Sequence, residues 1–301
     1  MTFRRRIIEV LPEQWQETIR SLISIEEYKD NLGQLALRVL MENYKSVASS
    51  ELKSTLKSHE AKVNSQHGED GILLHIFSRI GATNHEFVEF GIENGRECNT
   101  ANLSINFGWR GLLMDVNPQN ISKARAFYNE VLAKPSNVEI AESHVTAENI
   151  NETLLAKNCD SDLDLLSIDI DGNDYWVWKA IADVRPRVVV IEYNATLGRD
   201  EAITVRYDPD FNRWSKHKSG FYYGASLPAM VKLAESKGYA LLGCDSSGVN
   251  AFFGRRDVVA GKIEELTIQE AFVPDTPFSW SRRKSQVERF NLIKSVGFEY
   301  V

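Results

Sequence analysis

The chain has 301 residues, of which 43% are hydrophobic and 26% charged, with a formal net charge of -7. That apolar content fills the core of one large domain, or of a domain of about 200 residues with appendages, and the acidic balance excludes a general nucleic-acid or membrane-surface binder, which needs a face rich in Lys and Arg. The three cysteines, Cys98, Cys159 and Cys244, are far apart and lack metal spacing, which excludes a disulfide framework or a zinc site and points to a reducing cytosol.

Arg4, Arg5 and Arg6 sit near the start, but Glu9, Pro12, Glu13 and Glu17 follow where a targeting segment needs an unbroken apolar or acid-free run. No window approaches the ~18 consecutive apolar residues of a transmembrane helix. Residues 13–24 place Trp15, Ile19, Leu22 and Ile23 at helical spacing, and 26–57 continue with Tyr28, Leu32, Leu35, Leu40 and Tyr44. The first 60 residues are read as a helical extension: a lid, a homodimer element, or a pair that covers a sheet face.

A polar turn, Asn64 to Gly71, precedes an amphipathic helix over 72–80 with Leu73, Ile76, Phe77 and Ile80 inward. Asn64 or Ser65 is a candidate cap, and Glu69 and Asp70 suit the positive end of the helix or face a ligand. His67 is a candidate general base, or a solvent-facing loop histidine.

The stretch from Glu86 to Pro118 carries the most information. An apolar run (Phe87, Val88, Phe90) meets Gly91 and Gly95, a helix follows, and a second apolar run (Gly111 to Met114) stops at Asp115. Strand, glycine turn, helix, strand and acid is the order of a nucleotide-binding βαβ unit, and Asp115 follows Gly91 by close to the about 20 residues that separate the turn from the ribose acid. A dinucleotide turn, however, has a third glycine and an uncharged approach for pyrophosphate. Here Glu89, Glu93 and Arg96 occupy the neighbourhood, and paired carboxylates repel pyrophosphate. They suit a ligand with positive charge, and S-adenosylmethionine offers an ammonium, a sulfonium and a ribose for Asp115. The alternative is a buried βαβ unit whose glycines serve packing alone.

After a helix over 121–132 comes a third strand, 137–141, and then Ser143 and His144 where an adenine ring rests in a doubly wound fold. Residues 163–174, LDLLSIDIDGND, read as a buried parallel strand with Asp169, Asp171 and Asp174 at its carboxyl end, where open α/β sheets gather ligands and catalytic groups. Asp174 is expected to cap the next helix, 175–181, leaving Asp169 and Asp171 for the site. Another apolar strand, 187–193, ends at Glu192, so Asp169 and Glu192 become a candidate proton-accepting pair or oxygen ligands for Mg²⁺.

Gly198 to Gly224 is a long polar and aromatic loop, of a kind that shapes substrate pockets. A helix over 226–238 and two strands, 239–244 and 249–255, joined by Asp245 to Gly248, complete the sheet pattern. Helices are expected over 263–270 and 281–295.

Five blocks in this order, SQHGEDG, VEFG with Asn99-Thr100 and GWRGLLMD, DLLSIDIDGNDYW, PRVVVIEYN, and GASL with KGY and VNAFF, resemble the FkbM-like branch of class I S-adenosylmethionine-dependent methyltransferases over residues 63–256. The resemblance implies a Rossmann-like, doubly wound, mostly parallel seven-stranded sheet in which a C-terminal hairpin adds the antiparallel strand. The domain spans 61–256, between a helical extension over 1–60 and another over 257–301. It also implies that Glu89, Gly91 and Gly95 serve the methionine and ribose and Asp115 the ribose hydroxyls; Asn99, Ser143 and His144 are read as further cofactor contacts, with a satisfied loop histidine as the alternative for His144. Asp169 and Asp171 then lie beside the methyl group, with Glu192 at the next strand end. Ile92 and Glu93 depart from the family's pattern after the first glycine. The expectation is a cytosolic methyltransferase acting on an O or N atom of a small polar molecule. A protein that binds S-adenosylmethionine without methyl transfer, as a scaffold or an enzyme that cleaves or cyclises it, is the open alternative, and a nicotinamide oxidoreductase fits the charges least.

Overall fold

The computed structural model describes residues 55–132, 134–274 and 284–301. The helix expected over 13–24, most of that over 26–57 and the start of that over 281–295 lie outside the described residues. Those described fall within one compact unit, Ser49–Val301.

Seven strands form the main sheet: β1 (Glu86–Phe90), β2 (Arg110–Asp115), β3 (Val138–Glu142), β4 (Leu165–Ile168), β5 (Val188–Glu192), β7 (Tyr239–Cys244) and β8 (Asn250–Arg255). A separate two-stranded sheet pairs β6 (Ile203–Thr204) with β9 (Glu299–Tyr300). The main order is β3-β2-β1-β4-β5-β8-β7. Neighbours from β3 to β5 are parallel, and β8 runs antiparallel to both β5 and β7. The fold is therefore Rossmann-like, and the hairpin inserts its second strand, β8, as the antiparallel one. Strand order reverses at β1, between β2 and β4, which opens a crevice at the carboxyl ends.

Alternation along the strands sorts the core. Val88 and Phe90, Leu112 and Met114, Leu166 and Ile168, and Val189 and Ile191 all belong to one buried cluster. It also takes in Ile150 and Leu154 of α4 (Ile150–Ala156), Tyr175 and Trp178 of α5 (Asp174–Ala180), and Met230 and Leu233 of α7 (Leu227–Ser236). Residues of the opposite phase, among them Phe87, Leu113, Leu165, Val188 and Phe252, are equally buried. Burial on both faces explains why these strands read as unbroken apolar runs.

Earlier in the chain stand α1 (Glu69–Ile80), α2 (Ala101–Phe107) and α3 (Pro118–Val131). The α1 helix starts from Gly68 as N-cap, at φ 101°. Ser65 still takes an amide, accepting Asp70 N at 3.0 Å, and Asp70 Oδ2 in turn accepts the amides of Val63, Asn64 and Ser65 at 2.7–2.8 Å. Asp174 differs from the expected cap as well. It is the first residue of α5, and its two oxygens accept Ile170 N at 2.8 Å and Gly172 N at 2.9 Å, which folds the strand-to-helix turn back on itself.

The loop over 198–224 holds β6 and a short helix, α6 (Arg213–Lys216). In place of one helix over 263–270, the chain forms α8 (Arg256–Val259) and then α9 (Ile268–Ala271). A capping box between Thr267 and Glu270 starts α9 late, and residues 264–267 before it lie in no helix or strand. The last helix, α10 (Gln286–Ile293), begins with a second capping box, between Ser285 and Glu288.

At the amino ends of the strands, Asp164 is fully buried and accepts the amides of Thr83, Asn84 and His85 at 2.8–3.0 Å, while Arg187 Nη1 pairs with it at 2.9 Å. This ion pair ties the entries of β1, β4 and β5 together. Removing one partner of a buried pair leaves an uncompensated charge, so Asp164→Ala is expected to cost about 3–5 kcal/mol. Urea unfolding checks this, and a loss under about 1 kcal/mol would contradict the assigned role.

Candidate active site

The sheet register places the site. Met114, Phe90, Ile168 and Ile191 align across β2, β1, β4 and β5, so the next residues, Asp115, Gly91, Asp169 and Glu192, form a row along the carboxyl edge. Asn250 at the start of β8 pairs with Glu192 and extends that row by one strand.

A cavity of about 620 Å³ lies above this edge. Its wall includes nine residues singled out from the sequence: Glu89, Gly91, Asn99, Asp115, Ser143, His144, Asp169, Asp171 and Glu192. His67 and Gly95 are not brought to it; Gln66 and Glu69 from the same turn as His67 are. Gly95, at φ 77°, instead makes room for α3: a Cβ there would stand 2.9 Å from the Cβ of Ala124. Asn173, which the sequence groups with the acids at the β4 end, joins the wall, and Phe211 and Tyr223 reach it from the loop over 198–224; sequence reasoning singled out neither Arg213 nor Asn250.

Gly91 has φ 76°, and a Cβ on it would lie 1.5 Å from the carbonyl oxygen of Asp169. Only glycine fits both the dihedral and the contact. Its amide donates to Met114 O at 2.9 Å, which draws the turn toward β2.

Glu89 is buried, and its carboxylate is engaged within the protein. Oε1 accepts Asn99 N at 2.9 Å and Ser167 Oγ at 3.1 Å; Oε2 accepts Thr100 N at 3.0 Å and Thr100 Oγ1 at 2.5 Å. Burial raises its pKa, and these donors pull it back. Asp115 Oδ2 accepts Glu93 N at 2.8 Å, while Oδ1 accepts Asn117 N at 2.8 Å and Asn120 Nδ2 at 3.3 Å. The acid after β2 thus joins the two loops that border it. Asp115 O also accepts Ser143 N at 2.9 Å, which brings the loop after β3 alongside.

The far end of the cavity is acidic. Asp169, Asp174 and Glu192 each place a carboxylate oxygen within 4.8 Å of the other two. Asp169 is half-buried, and Glu192 is 7% exposed. Desolvation pushes both pKa values well above the carboxylate range, neighbouring acids push them further, and Arg213 opposes the rise. Burial takes Asp174 to about 6 against the pull of its backbone donors. Asp171, at φ 58°, stands exposed and pairs with Arg213 Nη1 at 2.5 Å. The Arg213 guanidinium also donates from Nε to Gly220 O at 2.9 Å and lies 3.8 Å above the Tyr223 ring. One arginine on an aromatic face thus borders a group of carboxyls whose pKa values burial raises, an arrangement suited to taking up a proton.

Neither a family model nor a curated protein matches the chain. Among solved structures it is similar to the O-methyltransferase from Bacillus cereus in complex with SAH, at 15% identity over 71% of this chain and 88% of that one, with a TM-score of 0.41. A S-adenosylmethionine-dependent methyltransferase from Clostridium acetobutylicum ATCC 824 aligns at 12% identity over 60% and 88%, with a TM-score of 0.38. A candidate sarcosine dimethylglycine methyltransferase from Galdieria sulphuraria aligns at 15% identity over 56% of this chain, with a TM-score of 0.37, and the match spans 58% of that protein's length. None of these names the FkbM-like branch.

Replacing Gly91 by alanine combines a left-handed dihedral with a contact of 1.5 Å against rigid backbone. Gly91→Ala is expected to destabilise the domain by about 3 kcal/mol or more. A urea midpoint equal to wild type would show that the two turns do not meet as described.

Proposed function

We propose that the protein is an S-adenosylmethionine-dependent methyltransferase, in keeping with the FkbM-like resemblance of its motifs, acting on an O or N atom of a small polar acceptor. The observation that carries this reading is a single cavity with two unlike ends. One is the β1 turn, Asp115 and the loop at Ser143 and His144; the other is the acidic group at Asp169 and Glu192. Gly91 lets the β1 turn close onto the Asp169 backbone, and Asp115 retains acceptor capacity for ribose hydroxyls beyond its protein donors. When bound, S-adenosylmethionine supplies an electrophilic methyl group.

The residues of the chain then have two tasks. The row along the sheet edge fixes the distance between cofactor and acceptor, and alignment of this kind supplies much of a methyl transfer's rate. Asp169 or Glu192 takes the proton that the acceptor loses. A second reading, favoured by the 4.8 Å grouping, has Mg²⁺ held by Asp169 and Glu192. Calorimetry with MgCl₂ on protein loaded with S-adenosylhomocysteine separates the two, since only the second gives stoichiometric heat.

Titration of the full chain with S-adenosylmethionine is expected to show one binding site, weakened about tenfold or more in Asp115→Ala through loss of a charge-assisted acceptor. No binding by wild type would end the proposal. Asp169→Ala is expected to keep cofactor binding and lose turnover. Because burial raises Asp169 and Glu192, the proton-accepting form appears only as pH climbs past their raised values. The acid limb of kcat/KM is therefore expected well above the ~4 of an ordinary carboxylate. A limb at ordinary carboxylate pH would assign the base elsewhere.

A further inference from the structure

Three buried oxygens of residues on the cavity wall have no hydrogen-bond partner among the described residues: Glu192 Oε2, Asn250 Oδ1 and Asn173 Oδ1. Their residues are 7%, 4% and 5% exposed. Both amides have their orientation set by the protein. Asn250 Nδ2 donates to Glu69 Oε1 at 2.8 Å, and Asn173 Nδ2 donates to Asp208 O at 2.7 Å, so in each case the oxygen is the atom left over. Buried acceptors are ordinarily paired. A ligand that completes this end must bring several donors.

Charge narrows the choice. Arg213 pairs with Asp171 and also acts on Asp169 and Glu192, and among the described residues it is the one arginine or lysine on a wall that carries Glu69, Asp169, Asp171 and Glu192, so acid exceeds base there. A donor-rich ligand with positive charge is favoured over a neutral polyol and strongly over an anion. Width narrows it again. Asp169, Glu192 and Asn250 stand on three neighbouring strands of one row, and two strand spacings amount to about 10 Å. The shell of a single Mg²⁺ measures only about 4.2 Å from ligand to opposite ligand. One ion therefore reaches Asp169 and Glu192 but not Asn250, whereas an extended cation reaches all three.

We propose that the acceptor is an extended aliphatic amine, with its reacting nitrogen at Asp169 and Glu192 and a second N–H-bearing group toward Asn250. This rests on the methyltransferase reading. The ammonium gives one proton to the Glu192 carboxylate. The freed nitrogen lone pair forms the new N–C bond as the C–S bond breaks, and the electron pair of that bond stays on sulfur. The methylated nitrogen leaves as an ammonium, and the proton on Glu192 passes to water.

The test is calorimetry on the full chain loaded with S-adenosylhomocysteine, titrated with 1,4-diaminobutane and spermidine and, for comparison, with n-butylamine, 1,4-butanediol and MgCl₂. At least one of the two polyamines is expected to bind stoichiometrically. Glu192→Gln is expected to weaken it about tenfold or more while leaving S-adenosylhomocysteine affinity unchanged. Asn250→Leu is expected to bring diamine affinity down to that of n-butylamine, a signature of the extended reach. With S-adenosylmethionine in place of the product, mass spectrometry should find one added methyl group on the bound amine. Binding by neither polyamine, whether or not the diol or Mg²⁺ binds, overturns the proposal. Failure of S-adenosylhomocysteine itself to bind overturns the methyltransferase reading instead.

Discussion

The contact on which the site depends is the one between residue 91 and the backbone of Asp169. With a side chain at 91 the β1 turn would stand off from the β4 end, because the carbonyl of Asp169 occupies the space a Cβ would need. Glycine lets the two loops touch at the point where strand order reverses. The β1 turn with Asp115 and the acidic group with Glu192 then share one cavity rather than lining two separate pockets. Parallel register does the rest, since every strand from β2 to β5 ends on the same row.

Carboxyls serve two physically different purposes around that row. Some are consumed in building loops: Glu89 takes four donors at the start of α2, Asp174 takes two amides of its own turn, and Asp70 gathers three amides ahead of α1. Burial raises Asp70 and Asp174 to about 6 even so, because desolvation outweighs their hydrogen bonds. Asp70 and Glu192 each keep one buried oxygen without a partner among the described residues, but only Glu192 does so on the cavity wall. At Glu192 the cavity gives that oxygen access to a ligand that can offset the desolvation cost.

The strands were legible because burial on both faces leaves apolar runs that a glycine or an acid cuts off, and Asp115, Asp169 and Glu192 were legible as the acids at those ends. What the local pattern does not carry is which strand lies beside which. Asn250 comes to the site only because β8 inserts between β5 and β7, and Glu69, at the start of α1, meets it there by accepting from Asn250 Nδ2. Arg213 and Tyr223 come from a loop whose polar, aromatic composition suggested a pocket without saying which side chains face it. The helix expected over 263–270 shows the same limit at short range. An apolar spacing is no match for a threonine and a glutamate that close a capping box at 267 and 270.

The two ends of the cavity are held by different means. The end at the β1 turn and Asp115 hangs on sheet register, which moves only if strands slip. The loop that carries Phe211, Arg213 and Tyr223 is held from outside the main sheet. Leu197, Ile203, Val205, Phe221 and Tyr222 pack with Ile293 of α10 in a small core of their own. β6 pairs with β9, Tyr222 Oη donates to Gly297 O at 2.8 Å, and Gln286 Nε2 donates to Thr196 O at 2.6 Å. Residues 286–300 thus support the loop that borders the acidic end, although they lie far from it in sequence. Substitutions in that small core reach the acidic end through Arg213 and Tyr223 while the row of Asp115, Gly91, Asp169 and Glu192 stays where the sheet sets it.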